Sequence, residues 1–204
     1  MKSDITVYIL HNDDTLPSDL GYAIRSLKHE NVVVKPWYNT GDITNGVLEV
    51  IADCDTEWLS FLDSDDICVE GIYEKLISQA IDGVDFVYCN EILHNIVTNK
   101  KDPGWSSADD TRGLLIKEPY LRCFWDYTNN RLAHHRGIFR TSRCKKFWPD
   151  YVTPDLFIQG QLIEHVQKGR TNNVVHISDV GYIWRIHNSN TTLKYLKGKE
   201  SNNA

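Results

Sequence analysis

The sequence predicts an α/β domain: a mainly parallel β-sheet flanked by helices, followed by a less regular C-terminal half. Three observations lead there. Apolar runs of strand length (ITVYIL, NVVVKPWY, TEWLSFL, VDFVYC) recur through residues 1–96. Between them lie segments whose apolar residues recur with the period of a helix. Strands that alternate with helices favour parallel pairing, because a parallel neighbour needs a crossover and the crossover covers a face.

Taken in order, ITVYILHND opens with β-branched and aromatic residues that suit a buried strand, and Pro17-Ser18-Asp19 marks the start of a helix. Leu20, Ala23, Ile24 and Leu27 give that helix one apolar stripe, and NVVVKPWY returns to strand character. Ile43, Val47, Ile51 and Cys54 line one face of a helix opening near Asp42, before the strand TEWLSFL. Ile72, Leu76, Ile77, Ala80 and Ile81 mark the next helix, which Gly83 is placed to end, and VDFVYCNEIL is a strand. Residues 98–119, TNKKDPGWSSADDTRGLLIKEP, are polar and interrupted by Gly, Pro and Ser, and read as a long loop of the kind that serves as a lid. Thr153-Pro154-Asp155 has the grammar of a helix start, with Gly169 near its end. VVHISDVGYIWRIH supplies one or two closing strands, and KGKESNNA is a frayed tail.

A chain of 204 residues, 41% of them hydrophobic, suits one domain spanning 1–204. The net charge of −6 gives no global positive field to draw in nucleic acid or membrane. ITVYIL is too short to span a bilayer and Asp4 is out of place in a signal peptide, so a soluble cytoplasmic protein without an integral membrane segment is expected. The five cysteines are odd in number and never spaced C-x-x-C, which suggests reduced thiols.

The concentrated chemistry is in FLDSDD, where Asp63, Asp65 and Asp66 follow directly on an apolar strand. In an open α/β sheet, ligands gather at the carboxyl ends of strands. Two carboxylates about 4 Å apart repel by roughly 1 kcal/mol in water and about 4 kcal/mol at an effective dielectric of 20. A divalent cation would offset this, and a hard oxygen set favours Mg²⁺ or Mn²⁺ over Zn²⁺. The plainer alternative is that Asp65 or Asp66 caps the helix containing Ile72.

TEWLSFLDSDDICVEGIYEKLISQAIDGVDFVYCNEI resembles the core of the family-2-type glycosyltransferases with a GT-A fold, in which an apolar strand leads into Asp-x-Asp-Asp, a helix and another strand. NGVLEVIADCDTEW is similar to the family's Asn-containing helix, GIFRTSRCKKF to the segment opening its acceptor half, and WRIHNSNTT to its closing Arg-x-His-x-x-Ser element. The family's Asp-Asp-Gly-Ser after the second strand has no counterpart; VVVKPWYNTGD stands there, with Asp42 as a stand-in.

The resemblance implies a GT-A-like (Rossmann-like) sheet. It divides the domain into a nucleotide-sugar-binding half, 1–96, and an acceptor-binding half, 97–204. A nucleoside diphosphate-sugar donor, a UDP-sugar first among them, would contact His11, Asn12, Asp13, Asp42, Asn45, Asp63, Ser64, Arg136 and Gly137. Asp65 and His187 would hold Mn²⁺ or Mg²⁺, and Asp155 would be the catalytic base of an inverting transfer to a hydroxyl acceptor. Independently, RLAHHRGIFRTSRCKK is rich in Arg and Lys and free of acids. It could grip a diphosphate or a polyanionic acceptor, with Trp125, Tyr127, Phe139 and Trp148 nearby for stacking. The acceptor stays open among glycan, lipid, protein and a modified nucleic-acid base. Two alternatives stand beside the transferase: a nucleotidyltransferase with Mg²⁺ on the same acids, and a non-catalytic GT-A-like protein that binds glycan or nucleic acid.

Overall fold

The computed structural model describes residues 4–39, 43–103, 123–126, 131–134, 136–147 and 174–187, with the backbone alone for 43–45, 123–126, 131–134 and 147. The first half runs β1 (Ile5–His11), α1 (Pro17–Ser26), β2 (Val33–Tyr38), α2 (Ile43–Asp53), β3 (Trp58–Asp63), β4 (Ile67–Cys68), α3 (Ile72–Ser78) and β5 (Phe86–Asn95). Then come β6 (Lys100–Pro103), β7 (Cys123–Asp126), β8 (Arg131–His134), β9 (Gly137–Arg140), α4 (Thr141–Phe147) and β10 (Val174–Ile186).

The main sheet has the order β2-β1-β3-β9-β5-β10-β4, with β6 paired to β5, while β7 and β8 form a separate hairpin. β1 runs parallel to both β2 and β3, and β5 parallel to β10. The expected mainly parallel sheet covered by helices is the observed one. β1 shows why its sequence is apolar without alternation. Val7 and Ile9 enter the core beneath α1 and α3, whereas Tyr8 and Leu10 enter the core beneath α2 and α4. Successive strand side chains point to opposite faces, so a strand buried on both needs apolar residues throughout.

Several elements differ from the expectation. β9 lies antiparallel between β3 and β5, in the middle of the sheet, although it comes from the second half of the chain. β10 is one strand, within the one or two expected, but its register on β5 shifts between Ile177 and Val180 and again between Val180 and Tyr182. α3 ends at Ser78, and Ile81 is exposed beyond it; Gly83, at φ 86°, turns the chain toward β5. Residues 100–103, expected in a loop, form an exposed edge strand whose polar residues need no buried face.

The chain leaves β1 for β2 on one side and β3 pairs on the other, so the strand order reverses at β1. Such a switch point leaves a crevice at the carboxyl ends of the two strands.

Candidate functional site

Three loops meet at that crevice. After β1, Asn12 folds the chain back: its Oδ1 accepts the Asp14 N–H at 3.0 Å, and its own N–H donates to Thr15 Oγ1 at 3.1 Å. Thr15 Oγ1 in turn lies 3.4 Å from Ser64 Oγ, tying the loop after β1 to the turn after β3. After β2, the Tyr38 hydroxyl donates to Asp13 Oδ1 at 2.6 Å, and its ring meets His11 edge-on at 5.6 Å between centroids. Tyr38 is 48% exposed, so an aromatic face stands where the resemblance leads one to expect an acid. Asn39 is buried against α2, where a Cβ on Gly46 would come within 2.9 Å of its Cγ.

The acidic turn is assembled by residues more than a hundred positions away. Asp65 Oδ2 is 2.9 Å from His187 Nε2, so the two residues expected to share a metal are adjacent. Burial and the neighbouring Asp63 push the Asp65 carboxyl above its usual range, opposed by His187. Arg185 locks the same turn. Its Nη1 donates to the Asp65 carbonyl at 3.2 Å and to Asp19 Oδ1 at 3.0 Å, and its backbone N–H donates to Asp66 Oδ1 at 2.8 Å.

Asp66 lies between β3 and β4 with its side chain turned into the protein. Only 1% exposed, it accepts the Tyr182 hydroxyl at 2.6 Å, and Tyr182 in turn accepts the Asp63 N–H at 3.2 Å. It is therefore an internal clasp between β3 and β10. Neither Asp65 nor Asp66 caps α3. That function falls to Glu30, whose carboxylate accepts the Gly71 N–H at 2.5 Å and the Tyr73 N–H at 3.1 Å.

Three arginines of the basic segment, Arg136, Arg140 and Arg143, pair with acids of the protein, whereas Lys145 and Lys146 are exposed. Arg136 is 2% exposed, surrounded by carboxylates instead of solvent. Burial works against its charge, but Tyr182, Asp63, Asp66 and Glu91 raise its pKa on balance. Arg140 bonds Glu57 at 2.6 Å and the Val84 carbonyl at 2.7 Å, and Arg143 bonds Asp85 at 2.9 Å. Phe139, offered above as a stacking surface, is buried against Phe86 at 4.1 Å. Gly137 sits flush on β5, where a Cβ would overlap the Val87 carbonyl oxygen and lie 2.7 Å from Tyr88 Cα. Its absent side chain is thus required by strand packing.

Asp42, Tyr127, Trp148 and Asp155 lie outside the described residues; so do the side chains of Asn45 and Trp125. Among the described residues no group of three or more His, Cys, Asp or Glu side chains is arranged to hold a metal. Asp65 and His187 make a pair. Two ligands at about 2.1 Å from one ion and at right angles lie roughly 3 Å apart, so their separation fits adjacent positions on an octahedral cation.

Solved structures share this architecture. TarS 1–349 from S. aureus, crystallised in complex with UDP-GlcNAc, superposes with a TM-score of 0.61 at 15% identity, covering 93% of this chain and 60% of that one. The same fragment in complex with UDP gives 0.54 at 14% identity, covering 91% and 61%. A further TarS structure gives 0.59 at 15% identity over 91% of this chain and 37% of its own. The chain thus spans less than two thirds of the length of these neighbours. A comparison with curated protein sequences finds no match. A model described as glycosyl transferase family 2 matches residues 8–148, well over half of the chain, with the acidic turn and β9 inside the match, and the chain belongs to that family.

Proposed function

We propose that the protein is a metal-dependent glycosyltransferase. It moves a sugar from a nucleoside diphosphate-sugar, a UDP-sugar first among them, to a hydroxyl acceptor with inversion at the anomeric carbon. The observation that carries the reading is the Asp65 to His187 contact at 2.9 Å, on the turn that closes the crevice between β1 and β3 in a family 2 chain. The TarS complexes with UDP-GlcNAc and UDP support the class of donor.

In this reading the nucleotide lies across the loops after β1, β2 and β3. His11, Asn12, Asp13 and the exposed Tyr38 face its nucleoside, and Asp63 and Ser64 stand toward the ribose and diphosphate. Asp65 and His187 would hold Mn²⁺ or Mg²⁺. The cation, when bound, acts as a Lewis acid that stabilises negative charge on the departing diphosphate. The acceptor oxygen forms its bond to the anomeric carbon as the bond from that carbon to the diphosphate oxygen breaks. The acceptor proton passes to a carboxylate, for which Asp155 is the candidate, and the electron pair of the broken bond leaves with the nucleoside diphosphate.

The acceptor is a hydroxyl of a glycan, lipid, protein or modified nucleic-acid base. Because Arg136, Arg140 and Arg143 are each neutralised by an acid of the protein itself, a glycan is favoured over a polyanion. Among the described residues no helix is long and apolar enough to cross a membrane.

A thermal-shift screen of nucleoside diphosphate-sugars with and without Mn²⁺ tests the proposal, because a ligand that binds only the folded state raises Tm by mass action. At least one donor raises Tm with Mn²⁺ and not with EDTA. No shift with any nucleotide overturns the proposal.

A further inference from the structure

Arg136 precedes β9 and lies where β3, β5 and β10 converge. Its Nη2 donates to Asp63 Oδ2 at 3.2 Å and lies 3.6 Å from Asp66 Oδ2, while its Nε is 3.4 Å from Glu91 Oε2. Glu91 is fully buried on β5. The guanidinium carbon stands 3.6 Å from the centre of the Tyr182 ring, and the Arg136 carbonyl accepts the Cys89 N–H at 3.1 Å. Each partner has a glycine beside it. A Cβ on Gly137 would overlap the β5 backbone, and one on Gly181 would lie 2.6 Å from Cys89 Sγ. Together the glycines let β9 and β10 close on β5 and bring Arg136 against Tyr182.

A charge so enclosed cannot touch a donor. We propose that Arg136 is a positioning residue for the transfer reaction: anchored by Glu91 and stacked on Tyr182, it fixes Asp63 and Asp66 and thereby the Ser64-Asp65 turn that receives the nucleotide. This inference rests on the glycosyltransferase reading given above. A planar guanidinium can bond several carboxylates while stacking on a ring, whereas a lysine ammonium is a point charge on a flexible stem. The role accordingly needs the shape of arginine as well as its charge.

Two variants test this. Arg136→Lys keeps the charge. Arg136→Met combined with Glu91→Gln removes one charge of each sign, so the cluster keeps its net charge. Isothermal titration of UDP in the presence of Mn²⁺ gives the affinity, and steady-state kinetics separate KM for donor from KM for acceptor. Both variants lose at least tenfold in UDP affinity, and Arg136→Lys raises the donor KM while leaving the acceptor KM unchanged. Folded variants that bind UDP within twofold of the wild type overturn the inference alone. A wild-type protein that binds no UDP overturns the glycosyltransferase reading and the inference with it. Should neither variant fold, Glu91→Asp carries the test, since it leaves Arg136 in place and withdraws its anchor by one methylene. UDP affinity then falls at least threefold, and unchanged affinity overturns the inference.

Discussion

Replacing Asp66 by Asn changes almost no volume and separates the clasp described above from a surface loop. The carboxylate accepts from the Tyr182 hydroxyl through one oxygen and from the Arg185 N–H through the other, with the Arg136 guanidinium 3.6 Å away. In one orientation the amide of Asn turns an N–H donor toward the Arg185 N–H, and in the other toward the Arg136 guanidinium. Losing a charge-assisted hydrogen bond costs about 1.5–3 kcal/mol, and withdrawing a partner from a buried ion pair costs about 3–5 kcal/mol. The two overlap, and desolvation of the wild-type carboxylate returns part of the loss. A net destabilisation of about 2–4 kcal/mol follows. In urea, with a slope of about 2 kcal/mol/M, it lowers the unfolding midpoint by roughly 1–2 M. The same change at Asp63, whose side chain is 24% exposed, has a smaller effect. An Asp66→Asn protein within about 0.5 kcal/mol of the wild type would refute the reasoning, for it would place Asp66 in solvent or at a replaceable cap.

Other substitutions probe separate links. Gly137→Ala drives a Cβ into the backbone of β5, which cannot yield as a side chain can, so it costs about 3 kcal/mol or more and lowers Tm by about 6–12 °C in calorimetry. Glu30→Ala leaves the first amides of α3 without their acceptor and lowers stability by about 1 kcal/mol in urea titration, with UDP binding unchanged. The Lys35 and Tyr8 hydrogen bonds to Asp53 hold its carboxyl below 3.8, so that its stabilising contribution is present above that value and lost as pH falls through the folded pKa. The difference in stability between wild type and Asp53→Asn, read from urea midpoints, is therefore largest near neutral pH and shrinks by pH 3, and side chains 34% and 35% exposed limit it to about 1 kcal/mol or less.

The parallel core was legible because β1 and β3 announce burial on both faces through apolar runs interrupted only by Thr6 and Ser60 before their last residues. The pairing of Asp65 with His187 was legible only through the family resemblance, since 122 residues separate them. Asp66 was misread because its partners lie 116 and 119 positions away, and an acid in a row of acids looks like a surface feature until β10 covers it. Arg136 was expected at the donor, and its internal place was not legible for the same reason: the short apolar sequence GIF carries β9 into the centre of the sheet and takes Arg136 with it. A signal was present in the dipeptides Arg136-Gly137 and Gly181-Tyr182. A glycine within a strand pattern marks a close approach of backbones, and here it flags the residue beside it. The missing Asp-Asp-Gly-Ser pointed to Asp42, which lies outside the described residues, and gave no hint that Tyr38, bonded to Asp13, stands at the end of β2.

Isothermal titration of UDP into wild-type protein and Asp65→Asn, each with Mn²⁺ and with EDTA, tests the central claim most directly. Wild-type protein binds UDP with Mn²⁺, and either EDTA or Asp65→Asn weakens binding at least tenfold, about 1.4 kcal/mol. UDP affinity that is the same with EDTA and in Asp65→Asn would contradict the account.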